Sequence, residues 1–168
     1  MIPLVVYLFL SIQLLFVAYT DFKTRTISNF WPIINIFVFL SLMWIFPQVY
    51  TFKWQILIFP IAFIFVGFIL FLMKIMGGGD SKYLSSMFLL IPIEVQDTAF
   101  IYLLYTTVIV GSTLIIFNLL KNFDRICLMA KTYDINGIKK LFGKKFTYAP
   151  VIFIAWMWFG WQNRMNIH

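Results

Sequence analysis

Six carboxylates occur in the 168 residues, and two of them stand where chemistry is possible. Asp21 follows an apolar run from Ile2 to Thr20, and Asp80 precedes another from Tyr83 to Val95. Run one, Asp21 and run two are echoed by run three, Asp80 and run four, so both acids fall at the same end of their segments. Two carboxylates brought within a few Å of each other cannot both ionise easily, so they share a proton and titrate as a unit. One can then act as general base on a water while its protonated partner donates to a scissile carbonyl. The plainer alternative is a pair of aspartates that cap helices or pair with Lys23 and Lys82. Gly77-Gly78-Gly79 stands directly before Asp80 and permits close approach of another stretch of chain. No Gly-x-x-x-x-Gly-Lys-Ser/Thr spacing accompanies it, so it is not a phosphate loop. The other acids read differently. Glu94 and Asp97 belong to a loop after the fourth run, and Asp124 and Asp134 lie among lysines, where solvated pairing is worth little. Cys127 is the only cysteine and His168 the only histidine, which excludes a zinc module and a disulfide framework.

The elements that must position these acids follow from composition. The chain is 62% hydrophobic, 21% aromatic and only 11% charged, against about a quarter charged in soluble domains. That excludes disorder and a sizeable water-soluble domain. Residues 1–168 read as one all-α, polytopic membrane domain of about six transmembrane helices. The runs are Ile2–Thr20, Phe30–Phe46, Gln55–Met73, Tyr83–Val95 (interrupted by Pro92 and too short to be an ordinary span), Ala99–Leu120 and Tyr148–Trp161. Eleven of the 13 basic residues fall in the loops after runs one, three and five. Those loops are therefore expected in the cytoplasm and both termini outside. The first run lacks a basic leader and is expected to be a span, not a cleaved signal. The net charge of +7 follows from this bias, and no nucleic-acid partner is implied. Loop 121–147 is basic and cytoplasmic, with apolar residues at helical spacing that predict an interfacial helix pair on anionic lipid. Gln13 and Asn118 are expected to bond between helices.

At the two acids the chain resembles a known family. Gly77-Gly78-Gly79-Asp80-Ser81-Lys82 is similar to the Gly-x-Gly-Asp-x-Lys motif of prepilin peptidases, membrane aspartyl proteases of type IV pilin-like systems. Asp21-Phe22-Lys23-Thr24-Arg25-Thr26-Ile27-Ser28-Asn29 resembles the companion motif, with Ser28 where the family usually has Pro. Phe146-Thr147-Tyr148-Ala149-Pro150 resembles the segment that opens the family's last helix. The resemblance implies Asp21 and Asp80 as the catalytic pair, with Gly77, Gly79, Lys82, Lys23 and Asn29 as supporting residues. It implies a pilin-like precursor as substrate, cut after a short basic leader at the cytoplasmic face of the cell membrane. It implies no metal and no cofactor, water being the nucleophile. A Cys-rich loop between the first spans is absent, so the chain resembles the short tight-adherence or preflagellin form, without N-methylation. Lys23 and Lys82 either tune an aspartate, touch substrate or snorkel to headgroups; Asn29 either bonds near the site or, by preference, caps the second helix. A non-catalytic membrane scaffold and a transporter component remain the alternatives, although transporters place their charges nearer the midplane.

Overall fold

The computed structural model describes residues 2–72, 76–123 and 147–163. Six α-helices run through them: α1 (Leu4–Thr24), α2 (Phe30–Ile45), α3 (Ile58–Leu72), α4 (Gly78–Leu89), α5 (Ile93–Lys121) and α6 (Ala149–Gln162). A 3-10 turn, Trp54–Leu57, leads into α3. No strand occurs among the described residues. Three segments are long and apolar enough to cross a membrane: Leu4–Thr24, Trp54–Leu72 and Ile93–Lys121. The interfacial helix pair expected in loop 121–147 lies almost wholly outside the described residues.

The bundle is organised around α4, the shortest and most polar helix among the described residues. Eight of its twelve residues are buried, from Asp80 and Ser81 to Met87 and Phe88. α2 and α3 flank α4, while α6 packs between α1 and α5. Phe59 and Phe63 of α3 stack about the ring of Phe88, at 5.5 and 4.7 Å between centroids, and Phe59 reaches Phe100 of α5 at 5.2 Å. On the far side Tyr7 stacks on Trp156 at 5.3 Å, and the Trp156 indole N–H donates to Ser11 Oγ at 3.0 Å. Gly160 lets that seam close, since any Cβ there would run into the Tyr7 ring.

Three boundaries differ from the sequence reading. α1 continues one turn past Thr20, because the Thr20 and Thr24 hydroxyls donate back to the carbonyls of Val17 and Thr20 and keep the helix going through polar residues. It ends at Arg25, whose φ of 55° is the left-handed C-cap conformation. α4 starts five residues before the predicted fourth run, since hydropathy is blind to a helix opening Gly-Gly-Asp-Ser-Lys. It also stops before Pro92. That proline caps α5 instead of interrupting a span, as its missing N–H and fixed φ suit a helix start. Glu94, Gln96 and Asp97 are therefore in the first turns of α5, not in a loop.

A short buried helix must satisfy its own terminal groups. At the C-terminal end of α4, Gln96 Nε2 donates to the carbonyls of Phe88 and Ile91 at 2.9 and 3.0 Å, and Tyr50 Oη donates to the Leu90 carbonyl at 2.8 Å. In the middle, Gln13 Nε2 donates to Asn35 Oδ1 at 2.7 Å, Asn35 Nδ2 to Ser86 Oγ at 3.1 Å, and Tyr83 Oη to Gln13 Oε1 at 3.1 Å. This buried network ties α1, α2 and α4 together. Gln13 thus bonds between helices as expected. Asn118 does not among the described residues, lending only its carbonyl to Asn122 within the same helix.

Candidate active site

Asp21 reaches the interior by helical spacing. The buried residues of α1 are Val6, Leu10, Gln13, Leu14, Val17 and Asp21, so Asp21 continues the inward stripe one turn beyond Val17. Only 3% of it is exposed. Its Oδ2 accepts the N–H of Ala149 at 3.2 Å, at the positive N-terminal end of α6. The aspartate that closes α1 therefore caps the last helix, and the segment around Tyr148-Ala149-Pro150 becomes part of its surroundings. Tyr148 is held in turn by a 2.9 Å hydrogen bond between its hydroxyl and Thr107 Oγ1 of α5.

Asp80 sits in the first turn of α4, 8% exposed. Its Oδ2 accepts the Gly77 N–H at 3.1 Å, an acid at the third position reaching back to the helix cap. Asp80 lies outside the three long spans. Asp21 and Asp80 are both buried where the end of α1 meets the start of α4.

Glycine makes this proximity possible. A Cβ on Gly79 would lie 2.8 Å from the carbonyl oxygen of Ile27, in the link that follows Asp21. The α1–α2 connection rests directly on the α4 backbone there, and it brings the end of α1 against the start of α4. Gly67 does the same for α3, where any Cβ would run into the Ser81 side chain. Gly77 supplies its N–H to Asp80 and leaves 3.1 Å between its own missing Cβ and Asp80 Oδ2.

The remaining residues singled out in the sequence lie on the outside. Lys23 is exposed in the last turn of α1. Lys82 is exposed and directs its ammonium to Asn29 Oδ1 in a long 3.5 Å hydrogen bond. Asn29 occupies the N-cap of α2 without capping it; Ser28 Oγ instead accepts the Phe30 N–H at 3.3 Å. The preference for Asn29 as a cap is thereby corrected, since its side chain is turned to α4. Sequence reasoning did not single out Asn35, Tyr83 or Ser86, which join Gln13 beneath the acids. A lone Asn in the apolar run Phe30–Phe46 was the available signal. No group of three His, Cys, Asp or Glu side chains able to hold a metal occurs among the described residues.

The architecture is that of a helical membrane protein with two buried aspartates at one end of its bundle. Residues 8–119, two thirds of the chain, match the type IV leader peptidase family, and the chain belongs to that family. Membership makes it a peptidase. The matched segment takes in both aspartates and nearly all of α1 to α5. Comparison with curated proteins and with solved structures gave no match.

Proposed function

We propose that the protein is a membrane aspartyl endopeptidase that removes the short basic leader of a pilin-like precursor, with Asp21 and Asp80 as its catalytic pair. The observation that carries this reading is the burial of both carboxylates at one end of the bundle, where the Ile27 backbone rests against Gly79. Asp80 holds the shared proton and donates it to the scissile carbonyl oxygen. Asp21, ionised and held by the Ala149 N–H, takes a proton from the attacking water. The water oxygen bonds to the carbonyl carbon, and collapse of the tetrahedral intermediate expels the amine, which takes up a proton. The polypeptide carries no Cys-rich loop between α1 and α2, and the reading is of proteolysis without methylation. The excess of basic residues in the loops after runs one, three and five supports an orientation with the aspartate end at the cytoplasmic face of a cell membrane crossed several times and both termini outside.

The test is cleavage of a tagged pilin-like precursor in membranes by wild type, Asp21→Asn and Asp80→Asn at matched expression. Loss of the leader with wild type alone is the expected result. Cleavage that persists in both variants would return the protein to the scaffold reading.

A further inference from the structure

Between α2 and α3 a groove of about 500 Å3 opens on the outer face of the bundle, with α4 as its floor. Its walls are Ile33 and Ile36 on one side and Ile61 and Ile64 on the other. Apolar exposure alone does not distinguish this face, because the outward sides of α1, α3 and α5 also carry exposed Leu, Ile and Phe. Three other features do. The face is concave, and its volume falls in the roughly 300–1,000 Å3 range of ligand sites. Its floor holds Ser85, which is 6% exposed and has no hydrogen-bond partner among the described residues, although its neighbours Ser81 and Ser86 both have one. Its one polar end, at Asn29 and Lys82, stands two residues from Asp80.

We infer that this groove docks the first turns of the apolar helix of the precursor, an inference that rests on the peptidase reading and adds to it the surface that recognises substrate. The first four N–H groups of any helix lack intrahelical acceptors. Ser85 Oγ and Asn29 Oδ1 are acceptors lying at and just inside the polar end, where the start of a docked helix would bring those donors. A lipid acyl chain has no donor to offer either of them. Small residues such as Ser85 also let a helix backbone approach closely within a membrane. From Lys82 to Leu89 the floor extends about 10 Å, close to two helical turns. A helix seated there leaves its preceding, extended segment to pass Lys82 and reach Asp80. Only the long Lys82–Asn29 hydrogen bond must give way at the mouth.

The test places the photo-crosslinking residue p-benzoylphenylalanine at Ile33 or Ile61 in the full chain carrying Asp80→Asn, so that precursor persists uncut. Ile116, exposed on α5, serves as the control position. Irradiated membranes containing the precursor should yield precursor adducts at the two groove positions at least tenfold above the control. An excess of the precursor's apolar helix, supplied without its leader, should compete them away. Equal yields at all three positions, or lipid adducts alone at the groove, overturn the inference. Cleavage by the chain with an intact Asp80, measured in parallel, separates the two claims. Asp80-dependent cleavage without groove adducts removes the docking surface only. Groove adducts without Asp80-dependent cleavage remove the peptidase reading and leave the docking surface standing.

Discussion

Gly78 and Gly79 are adjacent in the first turn of α4, yet alanine at each should have opposite consequences. At Gly79 the new methyl would stand 2.8 Å from the Ile27 carbonyl oxygen, whereas ordinary contact begins at 3.4 Å. The link after Asp21 must then retreat by about 0.6 Å, and because the obstacle is backbone within a packed interior it cannot simply rotate aside. A displacement of about 1 Å can cost roughly 100-fold in rate when it separates reacting groups, so Gly79→Ala should lower kcat by tenfold or more. Overpacking of this kind costs about 1–3 kcal/mol, which outweighs the gain of about 1 kcal/mol from replacing a helical glycine. At Gly78 the nearest atom to an added methyl is a Phe71 ring carbon at 3.7 Å, an ordinary contact. Gly78→Ala should therefore keep wild-type cleavage and gain up to about 1 kcal/mol in stability. Precursor cleavage in detergent and thermal unfolding of the two variants supply the comparison. Equal losses at both positions, or full activity in a folded Gly79→Ala protein, would refute the account of how the two aspartates are brought together.

Asn35→Leu strands the Gln13 Nε2 group inside the bundle; unfolding in detergent should report a loss of about 1–2 kcal/mol, and kcat should fall more than KM rises, since α2 loses its links to α1 and α4 while only the Tyr83–Gln13 bond still joins that pair in the network. Arg25→Gly relieves a left-handed backbone and should raise stability by about 1 kcal/mol without altering cleavage.

Much of the bundle was legible because apolar runs are long and loops are charged. α2 and α6 start within a residue of their runs, and the spacing of Leu14 and Val17 already points Asp21 inward once α1 is allowed its extra turn. α4 was misplaced for a physical reason. A helix sheathed by protein over most of its surface does not need the hydropathy that lipid demands, so Asp80, Ser81, Ser85 and Ser86 diluted the signal. Pro92 then suggested a break where it marks a beginning. Gln96 closes the carbonyl end of α4, a role no sequence pattern marks, since its partners are fixed only by the fold. The side-chain roles of Lys82 and Asn29 were similarly open, because each depends on where α2 lies against α4.

The brevity of α4 has a consequence for the surrounding lipid. Twelve residues rise about 18 Å, whereas the hydrocarbon slab is about 30 Å thick. Its neighbours cannot conceal the whole deficit, for α2 has only 16 residues and α6 only 14. On the proposed six-span topology the bilayer beside them should pinch inward, a deformation costing fractions of a kcal/mol per Å of mismatch. Headgroups and water would thereby be drawn toward the aspartates, and the proposed hydrolysis would have its water delivered from the membrane surface. Acyl-chain length then becomes a control on proteolysis: thin membranes should relax around the bundle and feed the site, and thick ones should strain to cover it.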